Sequence, residues 1–319
     1  MSKLFRRWES ILLILLVGVF VLMSNLSPYF LNMRNLLDST VHFTEKGVIA
    51  VCMAFIIISG NMDLSVASNM AMSAAVMGIA FRSGVGIWPA ALLCLLVGGA
   101  GGLFNGLIIT RLRLPAMVAT LATFSLYRGI AYVLLGNQAI TGYPYEFATI
   151  GQGYFLGSNI PNQLVIFAVL ALIFGFILHK TTLGRSVYAI GNNEAACRYS
   201  GIPVDRIKVL LFALNGLLAG LSAILLTSRI YSTRPNIALN YELEIITAVV
   251  LGGVSIKGGR GSMIGVVLAL LLIGFTRFGM SLLNIPGQVM TIIIGFLLIL
   301  AILLPQFLER FAPQPSKTA

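Results

Sequence analysis

The chain has 319 residues, of which 58% are apolar and only 10% are charged, and its mean hydropathy is +0.96. Soluble globular proteins carry about 25% charged residues, so this composition excludes a water-soluble protein. The net charge of +11 could suggest a nucleic-acid partner. The positions of the basic residues, described below, explain that charge through membrane orientation, and no nucleic-acid partner is expected.

Long apolar runs follow one another along the chain. A helix that crosses the hydrocarbon core needs roughly 20 such residues, whereas outer-membrane strands of about 10 residues with alternating polarity are not seen. We therefore predict an all-α membrane protein, a polytopic bundle of about ten transmembrane helices that forms one domain over residues 1–319. The predicted spans are 9–30, 42–60, 65–81, 87–110, 115–136, 161–179, 207–228, 241–254, 262–281 and 287–305.

Three of these spans have unusual features. The first run, Ile11–Phe30, follows three basic residues and is longer than the apolar core of a secretory signal, so we expect an uncleaved first span. The spans 65–81 and 241–254 are short and could be broken or re-entrant helices. Membranes tolerate such helices only where protein or water shields the backbone.

If the chain crosses the membrane ten times, most of its 21 Lys and Arg residues lie on the same side as the N-terminus. They are Lys3, Arg6, Arg7, Arg111, Arg113, Lys180, Arg185, Arg198, Arg206, Lys208, Lys257, Arg260, Arg310 and Lys317. Cytoplasmic loops are enriched in basic residues, so both termini are expected in the cytoplasm. The longest cytoplasmic loop is then 180–206, and the longest external loop is 137–159.

The sequence shows no catalytic constellation. The histidines, His42 and His179, lie in different predicted spans, and neither a metalloprotease motif nor a serine-hydrolase motif is present. The stretch GVSIKGGRG (Gly253–Gly261) resembles a phosphate-binding loop only in its glycine spacing, because Gly259-Arg260 replaces the required Lys-Ser/Thr pair. We therefore predict no enzyme activity, no metal and no resident cofactor, and any ATP must bind to another subunit.

Two polar stretches interrupt apolar runs with the same layout. SGNMDLSVAS (Ser59–Ser68) has a glycine for a turn and an aspartate, Asp63, that can cap the following helix. AVVLGGVSIKGGRGSMIG (Ala248–Gly265) repeats the order of apolar run, glycine break, polar turn and serine. The first stretch fits either a capped hairpin or a segment of a substrate path.

The third polar stretch, GNNEAACRYSGIPVDR (191–206), has the signals for a short helix over 193–200. Asn192 or Asn193 suits the N-cap, Glu194 suits the first turn, and Gly201 suits the left-handed position past the end. Glu194 and Arg198 have the favourable i,i+4 order. Because a simple surface loop does not need both caps, we predict a helix that docks on another surface.

Small residues recur four apart within several spans, as in Gly98–Gly102 with Gly106, Gly216 with Gly220, and Gly261 with Gly265. This spacing lets helix backbones approach closely in lipid. The glycines could serve tight packing alone or also a sliding surface between helices.

Four stretches resemble the permease subunits of ribose-type ATP-binding-cassette importers, whose relatives carry ribose, rhamnose and autoinducer-2. They are SGNMDLSVAS (59–68), LPAMVATLATFSLYRGIAYVL (114–134), TTLGRSVYAIGNNEAACRYSGIPVDRIKVLLFALNGLLAGLSAIL (181–225) and TAVVLGGVSIKGGRGSMIG (247–265). The chain departs from the family pattern at Asn61, Met62 and Ala67, which replace Gly, Ile and Gly, and at Cys197, where a small residue is common.

The resemblance implies the bundle of a type II-like importer permease in the bacterial inner membrane. It further implies cassette ATPase subunits that bind ATP and Mg²⁺, a periplasmic sugar-binding protein, and a second permease that is identical or related. Within loop 180–206, it assigns a coupling helix that contacts the ATPase to Asn192, Asn193, Glu194, Ala195, Ala196, Arg198, Tyr199, Ser200, Gly201 and Ile202.

For the substrate path we expect the polar side chains of Asn61, Asp63, Asn105, Thr120 and Thr123. Two other functions stay open from the sequence. An ion-coupled carrier that works alone is one, although no chain of intramembrane carboxylates for a proton relay is evident. A membrane scaffold without a pore is the other.

Overall fold

A computed structural model of the protein describes residues 8–296 and residue 299. The helices are α1 (Trp8–Leu26), α2 (Met33–Ser39), α3 (Val41–Ile58), α4 (Val66–Arg82), α5 (Ile87–Arg111), α6 (Ala116–Leu135), α7 (Tyr145–Gln152), α8 (Asn162–Lys180), α9 (Thr182–Asn192), α10 (Glu194–Tyr199), α11 (Val204–Ile230), α12 (Tyr241–Leu251), α13 (Met263–Leu282) and α14 (Gly287–Phe296). Over these residues the only β pairings are two isolated bridges. The predicted all-α class is confirmed.

A helix lies at each of the ten predicted spans. Seven of them, α1, α3, α5, α6, α8, α11 and α13, are long and apolar enough to cross a membrane. Span 65–81 is one uninterrupted helix of 17 residues, α4, rather than a broken one. The predicted span 287–305 begins with α14, and its part beyond Phe296 lies outside the described residues, except residue 299.

Helix α3 forms the centre of the bundle. Every residue from Phe43 to Ile58 is buried, and the helix packs on α8, α11, α12 and α13. This burial reflects the surrounding helices and not apolar composition alone, because α3 carries Glu45 and Lys46 and a lipid-facing helix is apolar as well. In contrast, α1 exposes half of its apolar side chains and packs mainly on α13.

Helices α5 and α11 approach each other closely at their glycines. A Cβ built at Gly98 would lie 2.9 Å from the Cα of Gly220, and one built at Gly106 would lie 2.9 Å from the Cα of Val209. No larger residue fits at such separations, because a Cβ would overlap the backbone of the facing helix. The close approach predicted from the glycine spacing is confirmed for this pair.

The bundle has two structurally distinct ends. At one end, which we call the α10 end, the connections α3–α4, α9–α10 and α12–α13 meet. At the opposite end, Ile140 N donates to the Thr233 carbonyl oxygen (2.9 Å) and Gly151 N donates to Ser228 Oγ (2.8 Å). Tyr154 Oη, just after α7, also donates to Asp38 Oδ1 there (2.9 Å), so these bonds tie α7 and its flanking segments to α2, to α11 and to segment 231–240.

Helix α12 is too short to cross the membrane. Its 11 residues span about 16 Å at 1.5 Å per residue, which is about half of the hydrocarbon core. The preceding segment 231–240 enters the bundle, where Arg128 Nη1 in α6 donates to the carbonyl oxygens of Pro235 and Ile237 (both 2.8 Å). Span 241–254 is thus a half-helix whose lead-in backbone is satisfied by protein, as membranes require.

The glycine packing predicts a position-specific loss of stability. In Gly102→Ala, the new Cβ would overlap the carbonyl oxygen of Phe212 and lie 2.8 Å from the Cα of Gly216. Overpacking of this kind costs about 1–3 kcal/mol. We expect thermal unfolding of the purified protein in detergent to shift to lower temperature.

Gly99→Ala is the matched control, because its Cβ would meet only the Cβ of Leu217, at the ordinary distance of 3.8 Å. Both variants add the same methyl group to the same helix. Equal unfolding temperatures for the two variants would contradict the close approach of α5 and α11.

Candidate functional site

Three glycine-containing segments pack against one another at the α10 end. Gly259 N, in the α12–α13 connection, donates to the carbonyl oxygen of Ile58 at the end of α3 (2.8 Å). Tyr188 Oη in α9 donates to the Gly261 carbonyl oxygen (2.7 Å). A Cβ at Gly191 would overlap the Ile58 carbonyl oxygen, so the end of α9 touches the backbone of α3 directly. The segment before α10 is therefore joined to both polar turns noted in the sequence.

Helix α10 has the two caps that the sequence predicts. The Asn193 side chain accepts a hydrogen bond from Ala196 N (2.9 Å). Gly201 takes a left-handed conformation (φ 80°), and Ile202 N donates back to the Cys197 carbonyl oxygen (3.0 Å). These bonds satisfy backbone groups that a helix of six residues leaves free at its ends. The predicted short helix is confirmed as a structural element.

Four charged residues fasten α10 to α11. Arg198 Nη2 lies 2.5 Å from Asp205 Oδ1 and 2.9 Å from Glu194 Oε1, and Lys208 Nζ lies 2.7 Å from Glu194 Oε2. We call Glu194, Arg198, Asp205 and Lys208 the α10 clamp. The sequence predicts the Glu194–Arg198 pair, but it does not identify Asp205 and Lys208 as partners, because they belong to the next helix.

The electrostatics of the clamp favour its ionised form. Partial burial raises the pKa of Glu194, but the hydrogen bonds and charges of Lys208 and Arg198 outweigh burial, and the pKa falls below its usual value of 4.5. The hydrogen bonds that Arg198 donates to the Asp205 and Glu194 carboxylates raise the pKa of its guanidinium. The ion pairs of Glu194 are therefore intact above pH 4.5 and are lost as the pH falls through its lowered pKa.

The outer face of α10 is free of these charges. Cys197 points inward and is buried, whereas Tyr199 is 94% exposed, and Ala195, Ala196 and Ser200 are also exposed. An exposed tyrosine surrounded by small side chains is a suitable anchor for a protein partner.

The remaining residues predicted for this helix surround it. Asn192 ends α9, and its side chain donates to the Tyr188 carbonyl oxygen (2.8 Å) and, at 3.5 Å, to that of Gly259. Ile202 lies past the C-terminal cap and packs on the main apolar core. The predicted coupling residues thus form one continuous segment at the α10 end, and their contact with an ATPase stays a prediction.

Asp63 lies at the centre of a buried polar network. Its Oδ1 accepts from Ser65 N (2.9 Å) and Ser65 Oγ (2.7 Å), and its Oδ2 accepts from Asn215 Nδ2 (2.9 Å). Asn105 Nδ2 donates to Ser65 Oγ (2.7 Å), and Tyr127 Oη lies 3.3 Å from Asn105 Oδ1. The network joins the α3–α4 connection to α5, α6 and α11.

Two of the predicted path residues join this network and three do not. Asp63 and Asn105 belong to it, whereas Thr120 Oγ1 donates to the Ala116 carbonyl oxygen (2.9 Å) and Thr123 Oγ1 to that of Thr120 (3.2 Å). These four residues are buried within the chain, whereas Asn61 lines the cavity described below. Their role in a substrate path stays a prediction.

Sequence reasoning missed Ser65, Tyr127 and Asn215 as members of the network. Asn215 carried a usable signal, because an amide within the apolar run LLFALNGLLAG is costly in a membrane and needs a partner.

A cavity of about 760 Å³ connects the α10 clamp with the α3–α4 turn. It is lined by the turn 60–62, by the α5–α6 connection and by all four clamp residues. A displacement of α10 therefore changes the wall of the same cavity that Asn61 faces. Across residues 8–296, no group of three His, Cys, Asp or Glu side chains could hold a metal ion.

Comparisons with known proteins agree with this arrangement. The sequence profile of the family described as "Branched-chain amino acid transport system / permease component" matches residues 35–302. The ribose import permease protein of Bacillus subtilis (strain 168) is 39% identical over 293 residues, which cover 90% of each chain. The autoinducer 2 import system permease proteins of Escherichia coli O9:H4 (strain HS) and of Shigella flexneri are each 37% identical over 301 residues, which cover 92% of this chain and 91% of theirs.

No solved structure matches the chain significantly. The family profile covers most of the sequence, and the similarity to the curated permeases extends over nearly the full length of both partners. The apolar helices are those of a multi-pass integral membrane protein. The chain belongs to the permease-component family of transport systems, whose members are transport subunits and not enzymes.

Proposed function

We propose that the chain is the membrane subunit of an ATP-driven importer and that it forms the uptake path for a sugar or sugar-like small molecule. The proposal rests on the structure and surroundings of α10. This helix is capped at both ends, fastened to α11 by the clamp, and exposes Tyr199 among small residues. Such a helix suits docking on a partner that moves it.

The orientation follows from charge. Basic residues are concentrated at the α10 end: Arg111, Arg113, Lys180, Arg185, Arg198, Arg206, Lys208, Lys257 and Arg260. Because cytoplasmic loops are enriched in Lys and Arg, this end faces the cytoplasm and the opposite end faces outward. Both termini then lie in the cytoplasm, and the membrane is the bacterial inner membrane.

The proposed partners are those that supply a nucleotide site and a contact for α10. The glycine turn 253–261 packs on the ends of α3 and α9 and has no phosphate-loop Lys-Ser/Thr pair. ATP and Mg²⁺ therefore bind to cassette ATPase subunits that contact α10. A periplasmic binding protein delivers the substrate at the opposite end, and a second permease, identical or related, completes the path within the lipid bilayer.

The transport step is a change of access driven by ATP in the partner subunits. Closure of the ATPase dimer moves α10, and the clamp passes this motion to α11 and to the cavity that Asn61 faces. A nucleotide can drive such a change only if it favours one conformation over the other. We assign Asn61, Asp63, Asn105, Thr120 and Thr123 to the substrate path, with Asn61 at its cytoplasmic cavity.

Two cargo classes are compatible with the comparisons. The family description names branched-chain amino acids, whereas the full-length relatives import ribose and autoinducer 2 by their names. Identity of 37–39% over about nine-tenths of the chain is a closer relation than membership of a broad family. A sugar is therefore the proposed cargo, and a branched-chain amino acid is the alternative.

Reconstitution into liposomes tests the importer function and the cargo together. We expect uptake of radiolabelled ribose or a related sugar only with the ATPase, the binding protein and ATP present, and no uptake of leucine. Sugar accumulation by this chain alone on an ion gradient would establish a stand-alone carrier instead. Leucine uptake with the same partners would establish the alternative cargo.

Replacement of Tyr199 tests the docking face of α10. Tyr199→Ala removes the 94% exposed aromatic ring without touching the clamp. An interface anchor contributes about 2 kcal/mol or more, so we expect roughly 30-fold weaker binding of the ATPase. Tyr145→Ala is the matched control, because Tyr145 is 82% exposed at the opposite end of the bundle. Equal ATPase co-purification with both variants would exclude Tyr199 as an anchor.

Exchange of charges tests the clamp. Glu194→Lys combined with Arg198→Glu keeps opposite charges within α10 but places like charges against Lys208 and Asp205. We expect ATP hydrolysis without uptake, while membrane insertion is unchanged. Addition of Asp205→Lys and Lys208→Glu restores attraction at both contacts and should recover uptake. Coupled transport in the two-residue variant would show that the clamp is not needed.

A further inference from the structure

A second cavity, which we call the outer cavity, lies at the opposite end of the bundle from α10. It encloses about 630 Å³ between α2, α3, α12, α13 and the start of α14. Its volume is within the range of about 300–1,000 Å³ that small-molecule sites occupy. It shares no lining residue with the cavity at the α10 end.

Partly buried ion pairs line one side of this outer cavity. Glu244 of α12 bonds both Lys46 Nζ of α3 (2.6 Å) and Arg277 Nη2 of α13 (3.0 Å). Arg229 Nη2 of α11 pairs with Glu45 Oε1 (2.9 Å), although the Glu45 side chain is fully buried. Ionisable groups inside a membrane are costly and usually serve a function. Four helices contribute to this cluster.

The lining of the cavity is polar at its mouth and apolar at its floor. Asn35, Asp38 and Ser39 of α2 lie at its outer mouth, and the ion pairs follow. Leu270 lies seven residues before Arg277 on α13, so the floor is about 10 Å deeper and is apolar. The ring of Phe43 forms part of the wall and lies where Gly274 leaves room for it.

We propose that the outer cavity binds the transported molecule directly and that this molecule is a neutral, polyhydroxylated compound of monosaccharide size. The inference rests on the proposed function. Lys46, Arg229 and Arg277 are each paired with Glu244 or Glu45, and Asp38 adds a third carboxylate at the mouth, so three cations and three carboxylates leave no net charge to attract an ion. A zwitterionic ligand would have to break these pairs.

Hydroxyl groups complement the cluster without breaking it. An ammonium or guanidinium group with one ion-pair partner still has N–H donors, and a carboxylate has several acceptor sites. Each sugar hydroxyl can donate to a carboxylate and accept from a cation. The C–H face of the sugar then meets Phe43 and the apolar floor. The cavity is the first site that a sugar released at the outer end encounters.

Thiol protection tests occupancy in the full-length permease reconstituted in lipid nanodiscs. Ser281 is exposed and lines the mouth, whereas native Cys52, Cys94 and Cys197 are buried. We expect Ser281→Cys to react with a membrane-impermeant maleimide and D-ribose to slow that reaction at least fivefold, with saturation. Ser83→Cys, exposed at the same end but outside the cavity, should react at a rate that ribose does not change.

Two carboxylate variants test whether protection of the Ser281→Cys thiol by ribose depends on the ion pairs. Glu244→Gln removes the shared partner of Lys46 and Arg277 and should raise the half-protecting ribose concentration at least tenfold. Glu242→Gln is the matched control on the same helix, because Glu242 does not line the cavity. Ser281→Trp blocks the mouth without altering the buried charges and should lower ribose uptake by the complete importer.

Three results would overturn the proposal. They are protection by leucine instead of sugars, absence of protection by D-ribose, D-glucose and L-rhamnose, and a Ser281→Cys thiol that reacts only with a membrane-permeant reagent. The last result would indicate a lipid-filled cavity. Uptake by the wild-type importer is measured in parallel. Intact ATP-dependent uptake without protection rejects this site alone, whereas loss of ATP dependence rejects the proposed function.

Discussion

The close contact between α5 and α11 is the constraint on which the other features depend. Lipid supplies no hydrophobic force between helices, so a membrane bundle is held by packing at short distance and by buried polar contacts. Glycines on both helices allow that distance here. They hold α11, a helix of 27 residues and about 40 Å, against α5 between the two ends of the bundle.

The α10 clamp, the Asp63 network and the charged cluster at the outer cavity each have a member on α11. Asp205 and Lys208 hold α10, Asn215 holds Asp63, and Arg229 holds Glu45 beside the outer cavity. Under the proposed function, a motion of α10 therefore reaches both cavities through one helix. The short α12 contributes Glu244 to the outer cluster and leads into the glycine turn that contacts α3 and α9.

Much of the fold could be predicted because membrane helices are encoded locally. Length and hydropathy located a helix at each of the ten spans, and the caps of α10 follow from Asn193 and Gly201. The candidate site was predicted less completely. The partners of Glu194 and Asp63 lie 14 and 152 positions away in the chain, and no local pattern specifies contacts at such separations.

The sequence by itself determined the class, the positions of the helices, the excess of basic residues at the α10 end and the capped helix within loop 180–206, because propensity, capping and hydropathy act over neighbouring residues. Only the tertiary structure decided that Glu194 and Arg198 face α11 while Tyr199 faces outward, and that Asp63 is enclosed with Asn215. It also decided that charges from four helices meet along one side of the outer cavity. The physical reason is that these arrangements depend on which helix faces pack together, and that choice is made by the whole bundle.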